Sequence, residues 1–491
     1  MKGFTMSEPG KVSFHTLGCK LNFAESSTLA RQFSEGGFSR IASAGEADIC
    51  VVNTCSVTAA SDKKCRNLIR HIHRENPSAI IAVTGCYAQL RPAELAAIEG
   101  VDIVLGNDLK GELLQSIVAL VEERRGAGEA VDGERISLSA GAENRTASAC
   151  AARREARSPQ PMPTNQSISV LMPPSAQLPT AFFTAFSGGD RTRAFLKVQD
   201  GCDYHCSYCT IPLARGASRN IPIAQVVEQA RLIAAAGQRE IVLTGINTGD
   251  FGHTTGETFL DLLRALEEVE DVDRYRISSI EPNLLNDSII AFTARSEKFM
   301  PHFHIPLQSG CDRILALMRR RYDTATFAAR VEAVRRAIPD VFIGVDVIVA
   351  FPGETDEDFE ATYAFLERLA PAFLHIFPYS ARPGTPAAEF PGQVSPQTSQ
   401  HRAARLGELN RRLSRAFYER FTGTRAVMLV ESTRHDGGGD RMENGTGSRM
   451  GGFTPNYLRV EIPYDRALAG RMVEVELARL DENGVFEGKI L

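Results

Sequence analysis

Residues 11 to about 125 alternate short β-branched runs with stretches whose apolar residues recur at three- and four-residue steps. The first pattern predicts strands and the second predicts helices. The predicted strands are residues 12–16, 48–53, 79–84 and 101–105, and the predicted helices are residues 25–35, 59–75 and 92–98. This alternation predicts an N-terminal, doubly wound, parallel α/β domain over residues 11–125.

The same alternation resumes in the middle of the chain, where residues 188–421 are predicted to form a second α/β domain. The predicted strands are residues 195–198, 240–244, 275–279, 302–306, 341–349 and 373–378, with helical stretches such as 224–236 and 327–337 between them. Six β/α units predict a curved, partly open (β/α)6 barrel. A helix at about residues 400–421 follows, because Leu406, Leu409, Leu413 and Phe417 form an apolar stripe.

Two further regions depart from this pattern. Residues 126–178 are rich in Ala, Ser, Gly, Pro, Gln and Arg and show little periodicity, which favours a flexible insert or linker. Residues 424–491 contain four predicted strands (425–431, 457–462, 472–478 and 485–489), with a Gly-rich stretch at 437–452. The strands predict a small C-terminal β-barrel.

Composition indicates the cellular compartment of the protein and the role of its cysteines. The chain has 491 residues, a net charge of −5 and ten cysteines. We expect a cytoplasmic protein without a membrane partner, since no apolar run of about 18 residues occurs and the first residues lack a secretory signal. In a reducing compartment, clustered cysteines are more often metal ligands or catalytic groups than disulfides.

The segment GCDYHCSYCTIP contains the spacing C-x3-C-x2-C, formed by Cys202, Cys206 and Cys209. Three thiolates on one short loop suit an iron–sulfur cluster, and three protein ligands leave one iron of a four-iron cluster open. A zinc site or a structural cluster is the alternative, but structural zinc usually has four ligands, and no obvious fourth partner lies nearby. The loop follows the first barrel strand, at the end where such barrels collect their active sites.

Three more cysteines, Cys19, Cys55 and Cys86, each follow a predicted parallel strand and precede a helix. Loops at the carboxyl ends of parallel strands converge on one crevice, so these residues are predicted to share a cluster with one open iron. Three buried core cysteines are the alternative. The remaining cysteines, interpreted mainly as packing residues or as part of the insert, are Cys50, Cys65, Cys150 and Cys311.

The first cysteine motif, with Tyr208 before its last cysteine, resembles the radical S-adenosylmethionine (SAM) superfamily. The resemblance implies that the open iron binds the amino and carboxylate groups of SAM, and that one electron then yields a 5′-deoxyadenosyl radical. LTGIN resembles the superfamily's glycine-rich loop, although it departs from the common form, and SSIEP offers further polar contacts; ordinary turn chemistry is the alternative for both. The candidate cofactor contacts are Tyr208, Thr244, Gly245, Asn247, Ser279 and Glu281.

Together, the three scattered cysteines, the radical barrel and the small C-terminal barrel resemble the methylthiotransferase family, whose last domain is called TRAM. The resemblance implies two 4Fe–4S clusters, with SAM as both radical source and methyl donor. It also implies a reductant such as flavodoxin or ferredoxin and a sulfur donor. The implied catalytic and metal-binding residues are Cys19, Cys55, Cys86, Cys202, Cys206 and Cys209.

The family has three main branches, and the strings TLGCKLN, NTCSVT, TGCYAQ and TGINTGDFG most resemble the threonylcarbamoyl branch. That branch modifies C2 of N6-threonylcarbamoyladenosine at position 37, in the anticodon loop of tRNA. The alternatives are isopentenyladenosine in tRNA and an aspartate of a ribosomal protein. A non-catalytic iron–sulfur electron carrier or an RNA-binding scaffold is a further alternative.

Basic and aromatic residues add modest support for RNA binding. Arg319, Arg320 and Arg321 form a basic run, and residues 402–425 hold seven arginines against Glu408 and Glu419. A solvated helix face explains the charges equally well. The aromatic residues Phe453 and Tyr457 are interpreted either as residues that stack on RNA bases or as core residues.

Overall fold

A computed structural model describes residues 10–126, 169–171, 179–189, 191–431 and 449–491. Most of the predicted insert, including Cys150, lies outside the described residues. The chain divides into two compact units. One holds most of the N-terminal region up to residue 177, and the other holds residues 178–491 with residues 23–27 and 57–59. The finer domain boundaries remain predictions.

The N-terminal unit is built on one parallel sheet with the strand order β2-β1-β3-β4-β5-β6. Its strands are β1 (Lys11–Thr16), β2 (Ser39–Ile41), β3 (Ile49–Thr54), β4 (Ile80–Gly85), β5 (Val101–Leu105) and β6 (Ser169–Leu171). Its helices are α1 (Lys20–Glu35), α2 (Ala59–Glu75), α3 (Cys86–Leu90), α4 (Pro92–Ala96) and α5 (Leu113–Gly126).

This sheet confirms the predicted parallel α/β fold. Strands β3, β4 and β5 are buried along their whole length. The apolar runs of β3 and β4, and of β5 apart from Asp102, are typical of a sheet covered on both faces. The strand order reverses between β1 and β3, which creates a crevice at the carboxyl ends of these strands. The sequence did not predict β2 and β6, because three-residue strands are too short to show a period.

In the described residues, the central part of the second unit contains eight strands and eight α-helices. The strands are β7 (Arg193–Lys197), β8 (Gln199–Asp200), β9 (Arg219–Asn220), β10 (Glu240–Thr244), β11 (Arg274–Ile277), β12 (His302–Gln308), β13 (Phe342–Val349) and β14 (Phe373–Pro378). The helices are α6 (Ile211–Arg215), α7 (Ile223–Ala235), α8 (Phe259–Glu267), α9 (Asp287–Arg295), α10 (Asp312–Leu317), α11 (Thr324–Ala337), α12 (Asp356–Leu369) and α13 (Pro396–Glu419).

Six of these strands form the predicted curved barrel. Strands β7, β10 and β11 form one parallel sheet, and β12, β13 and β14 form another. A parallel bridge between Ser279 and His304 joins the two sheets. The antiparallel pair β8–β9 was not predicted, since a two-residue strand leaves no pattern in the sequence.

The C-terminal region is a closed five-stranded barrel with the order β15-β16-β17-β19-β18, consistent with a TRAM-like domain. Its strands are β15 (Arg425–Val430), β16 (Arg449–Phe453), β17 (Arg459–Pro463), β18 (Met472–Leu480) and β19 (Phe486–Ile490). The barrel was predicted, but β16 falls largely in the stretch read as a Gly-rich interruption. Adjacent glycines in β16 hide the alternation of apolar and polar residues that marks a strand.

The C-terminal barrel packs against the amino ends of the radical-barrel strands through a buried arginine. Arg276 donates to the Glu240 carboxylate at 2.7 Å and to the Thr454 carbonyl at 2.8 Å. The Tyr457 ring stacks on Phe453 at 4.7 Å between centroids and contacts His302 at 4.7 Å. Phe453 and Tyr457 are half-buried and pack at this junction, and their two interpretations stay predictions. No helix in the described ranges has the length and apolar character needed to cross a membrane.

Candidate functional site

The loop that carries Cys202, Cys206 and Cys209 begins at the carboxyl end of the first barrel strand, as predicted. The β8–β9 pair brackets the loop, and the Cys202 amide donates to the Gly216 carbonyl at 3.0 Å. Within the loop, the Cys209 amide donates to the Cys206 carbonyl at 3.1 Å. These backbone contacts hold the three thiols on one short, folded segment.

Each thiol sulfur of this loop accepts one N–H donor. The donors are the Tyr204 amide to Cys202 at 3.4 Å, the Arg320 guanidinium to Cys206 at 3.1 Å and the Ile211 amide to Cys209 at 3.4 Å. Burial raises the pKa of the Cys202 and Cys209 thiols to about 12. Without a cation these thiols stay protonated, so a metal ion is what stabilises them as thiolates.

Arg320 connects the cysteine loop to a carboxylate. Besides Cys206, its guanidinium pairs with Glu281, and only 4% of its side chain is exposed. Burial raises the pKa of Glu281, whereas the Arg320 charge lowers it. The sequence placed Arg320 in a basic run for RNA, which is wrong for this residue. Adjacent arginines look alike in a sequence, although one of them is buried here.

Arg320→Met is expected to lower the free energy of unfolding by about 3–5 kcal/mol, because it leaves the Glu281 carboxylate buried without its guanidinium partner. Urea denaturation under anaerobic conditions, followed by circular dichroism, measures this loss. Arg336→Met makes the same change at an exposed position of α11 and should stay within about 0.5 kcal/mol of the unsubstituted protein. Equal losses in the two variants would contradict the role given to the buried pair.

Gln199 ties the loop after β10 to the cysteine loop. Its side-chain oxygen accepts from the amides of Ile246 and Asn247, both at 2.9 Å. Its amide group donates to the Gly201 carbonyl at 2.9 Å, and an added side chain on Gly245 would lie 3.0 Å from the Gln199 oxygen. Sequence reasoning missed Gln199, because a lone glutamine at a strand end carries no motif.

Among the candidate cofactor contacts, Asn247 is the one whose environment points to a ligand. It is 3% exposed, and both polar atoms of its side chain lack hydrogen-bond partners in the described part of the chain. Such groups are costly unless something satisfies them. A ligand with amino and carboxylate groups, such as SAM, fits an amide that both donates and accepts.

The other candidate contacts have structural partners. The Thr244 hydroxyl donates to the Leu196 carbonyl at 3.1 Å, and the Ser279 carbonyl accepts from the Thr248 hydroxyl at 2.8 Å. The half-buried Tyr208 ring packs against Phe351 at 6.3 Å between centroids. These contacts shape the loops around the cysteines, and a direct role for Tyr208, Thr244, Gly245, Ser279 or Glu281 with SAM stays a prediction.

In the N-terminal unit, the structure brings the loops of Cys19, Cys55 and Cys86 together at adjacent strands β1, β3 and β4. An added side chain at Gly18 would lie 2.8 Å from the Cys55 sulfur, so the Cys19 and Cys55 loops touch. At Gly85, an added side chain would lie 2.4 Å from the Thr54 carbonyl, so the Cys86 and Cys55 loops touch as well. Both glycines also have positive φ, which a larger residue adopts only with strain.

Two asparagines hold these loops in place. The Asn22 amide donates to the carbonyls of Leu17 and Thr54, at 2.8 and 3.0 Å. The Asn53 amide in turn donates to the Asn22 carbonyl at 3.0 Å. Sequence reasoning missed both residues, although each lies within three positions of a cysteine.

The three N-terminal cysteines differ in exposure. Cys55 and Cys86 are each 6% exposed, whereas Cys19 is exposed. A site with two buried ligands and one exposed ligand can hold a cluster and still admit a substrate. The Cys65 thiol donates a hydrogen bond to the Cys55 carbonyl at 3.5 Å. Cys65 is fully buried, so it is a packing residue as predicted.

Two other predictions concern residues outside these loops. The Cys311 thiol donates to the Asp358 carboxylate at 3.2 Å, which gives it a local structural partner. The arginines of the 402–425 segment are largely neutralised by acids, many of them from neighbouring elements. The pairs are Arg402–Glu354, Arg402–Asp356, Arg405–Glu360, Arg412–Glu367, Arg415–Glu419 and Arg420–Asp340. Counting only the acids within the segment therefore underestimated the number of acidic residues near these arginines.

Comparison with known proteins agrees with this architecture. Residues 11–106 match the model described as "Uncharacterized protein family UPF0004", and residues 196–366 match the Radical SAM superfamily. The superfamily match implies a 4Fe–4S cluster and SAM, in agreement with the loop of Cys202, Cys206 and Cys209. A solved structure of the radical SAM methyltransferase TsrM from Kitasatospora setae shares the fold, with a TM-score of 0.51, 16% identity and coverage of 77% of each chain.

Two relatives match almost the whole chain. The threonylcarbamoyladenosine tRNA methylthiotransferase MtaB of Bacillus subtilis is 37% identical over 95% of this chain and 94% of its own length. The tRNA-2-methylthio-N(6)-dimethylallyladenosine synthase of Thermobifida fusca is 33% identical over 96% of this chain and 87% of its own length. The chain therefore belongs to the radical SAM methylthiotransferase family and is an enzyme of that type.

Proposed function

We propose that this enzyme transfers a methylthio group to C2 of N6-threonylcarbamoyladenosine at position 37 of tRNA. It uses two 4Fe–4S clusters, with SAM as both radical source and methyl donor. The observation that carries the proposal is the meeting of the Cys19, Cys55 and Cys86 loops, in a chain that also has the radical SAM motif. The MtaB proteins of Bacillus subtilis and Aquifex aeolicus are 37% and 35% identical to this chain, and both are named as threonylcarbamoyladenosine tRNA methylthiotransferases.

An aromatic C–H bond is too weakly acidic for an ordinary side-chain base to deprotonate, so the reaction needs radical chemistry. When bound, the two clusters and SAM supply the electron, the radical and the methylated sulfur. Cys202, Cys206 and Cys209 hold one cluster, and the amide of Asn247 binds a polar group of SAM. Because each cluster has three protein ligands, one iron of each stays open to a small molecule.

The residues around the radical cluster control its environment. Arg320 donates a charged hydrogen bond to the Cys206 sulfur, and such bonds raise the reduction potential of a cluster relative to one that lacks them. Gln199 keeps the loop of Asn247 at a fixed distance from the cysteine loop. These contacts would fix the loop that binds SAM relative to the cysteine loop, and they take no part in bond breaking.

The Cys19, Cys55 and Cys86 site holds the second cluster and the sulfur that is transferred. The exposed position of Cys19 leaves this cluster accessible to a sulfur donor. The proposed macromolecular partner is the anticodon loop of tRNA, in the cytoplasm. A reductant such as flavodoxin or ferredoxin completes the proposed set of partners.

Nucleoside mass spectrometry of tRNA tests the substrate. In a strain without the gene, 2-methylthio-N6-threonylcarbamoyladenosine should disappear and its unmodified precursor should accumulate, and a plasmid copy should restore the product. If the modification persists in the deletion strain, the proposal fails. Loss of the methylthio group from the dimethylallyl nucleoside instead would assign the enzyme to the branch of the Thermobifida fusca relative.

A further inference from the structure

A polar group lies on one face of three neighbouring barrel strands. His304, Asp346 and His375 occupy β12, β13 and β14, and their ligand-type atoms all lie within 4.8 Å of one another. Along β12, the flanking residues Phe303 and Ile305 pack into the main hydrophobic core. Successive side chains of a strand point to opposite faces, so His304 faces the inside of the barrel.

The same alternation holds on the other two strands. Val345 and Val347 flank Asp346 and belong to the core, and Leu374 beside His375 does so too. Asp346 and His375 therefore share the inner face with His304. The polar group is partly open, since 23% of the His304 side chain and 17% of the Asp346 side chain are exposed.

The three side chains form a connected set. The Nε2 atom of His304 lies 2.7 Å from Oδ1 of Asp346, within hydrogen-bond distance. The rings of His304 and His375 meet edge to face with their centroids 4.9 Å apart. The Asp346 charge also raises the pKa of Glu281, in addition to the larger effect of burial. The Asp346 charge is thus felt by Glu281, whose partner Arg320 contacts Cys206.

An exposed aromatic ring lies on one side of this polar group, and buried aromatic rings close off the other side. At the amino ends of the strands, His302 and Phe342 stack with their ring centroids 5.4 Å apart, and both residues are buried. At the carboxyl end of β14, Phe377 shares the face of His375, and 45% of it is exposed. Proteins recognise an extruded nucleobase with this combination, in which aromatic groups contact the ring faces and polar groups contact its edge.

We propose that His304, Asp346 and His375 bind the hydrogen-bonding edge of the substrate adenine inside the barrel; this inference rests on the proposed function. Adenine presents an N6–H donor beside ring-nitrogen acceptors. The Asp346 carboxylate can accept from both His304 and N6–H, and an imidazole N–H donates to a ring nitrogen. Guanine presents an acceptor in place of N6–H and would meet the carboxylate with an unfavourable contact.

Two imidazoles and a carboxylate are also a ligand set for zinc or ferrous iron. Here Nε2 of His304 already lies within hydrogen-bond distance of the Asp346 carboxylate. The exposed Phe377 ring beside the group suits an organic ring better than a hydrated cation. A nucleobase edge therefore accounts for more of the observations than a metal ion does.

Steady-state kinetics with an anticodon stem-loop that carries threonylcarbamoyladenosine tests the inference. His375→Ala and Asp346→Asn should each raise KM roughly tenfold, the effect of a lost base-edge contact. His401→Ala, at an exposed position of α13, is the matched control and should leave KM unchanged. Iron content and circular dichroism equal to those of the unsubstituted enzyme confirm that the variants fold.

A competitor with guanosine at the target position adds a second readout. It should inhibit the unsubstituted enzyme weakly and Asp346→Asn more strongly, because the amide can donate to the guanine oxygen. Unchanged KM in both variants overturns the inference, as does one equivalent of zinc that is lost in His375→Ala. If the unsubstituted enzyme forms no methylthio product from the stem-loop, the proposed function fails instead.

Discussion

Cys55→Ser is expected to abolish methylthiolation while the radical cluster still assembles. Cys55 is buried, and its loop touches the loops of both Cys19 and Cys86. Its loss removes one of the three protein ligands, and the remaining two thiols cannot hold the cluster. After anaerobic reconstitution, iron should fall from about eight to about four atoms per chain, as expected for two four-iron clusters.

The same variant should still convert SAM to 5′-deoxyadenosine when reduced, since Cys202, Cys206 and Cys209 are intact. Cys50→Ser is the matched control, because Cys50 is fully buried in β3, the strand that precedes Cys55, but is not a predicted ligand. The Ala44 carbonyl and the Ser13 hydroxyl offer partners to the new hydroxyl group. About eight irons in Cys55→Ser, or about four in Cys50→Ser, would contradict the assignment of the second cluster.

Cys206→Ser is expected to abolish both 5′-deoxyadenosine formation and methylthiolation. Its sulfur lies in the radical SAM motif and accepts the charged hydrogen bond of Arg320. Iron should again fall to about four atoms per chain, now because the other cluster is missing. Liquid chromatography with mass spectrometry measures 5′-deoxyadenosine, and an iron assay on the same sample measures cluster content.

Cys311→Ser serves as the control for this second experiment. Cys311 lies in the same unit and is hydrogen-bonded to Asp358, but it is outside the motif. It should retain both 5′-deoxyadenosine formation and the full iron content. Formation of 5′-deoxyadenosine by Cys206→Ser at the rate of the unsubstituted enzyme would show that the radical site lies elsewhere.

Much of the fold follows from the hydrophobic pattern. The buried strands β3 and β4 have apolar runs, β5 is apolar apart from Asp102, and the six main barrel strands were all predicted within a few residues. Knowledge of the topology also grouped Cys19, Cys55 and Cys86, since carboxyl ends of neighbouring parallel strands share one edge. Strands of two or three residues and the glycine-containing β16 were not predicted, because they show no alternation of apolar and polar residues.

The residues that support the sites were harder to predict. Asn22, Asn53 and Gln199 act through hydrogen bonds to backbone groups that are distant in sequence, so no local pattern marks them. Burial separates Arg320 from its neighbours in a run of three arginines, and a sequence does not display burial at a single loop position. His304, Asp346 and His375 are brought together only by strand pairing, so each looked like an isolated polar residue.

Methylthiolation in a defined system tests the central claim most directly. Reconstituted enzyme is incubated anaerobically with a reductant, a sulfide source, SAM deuterated in its methyl group and a stem-loop that carries threonylcarbamoyladenosine. Mass spectrometry of the digested stem-loop should detect the 2-methylthio nucleoside with a deuterated methyl group, together with 5′-deoxyadenosine. A stem-loop that remains unmodified, or a methylthio product without deuterium, would contradict the account.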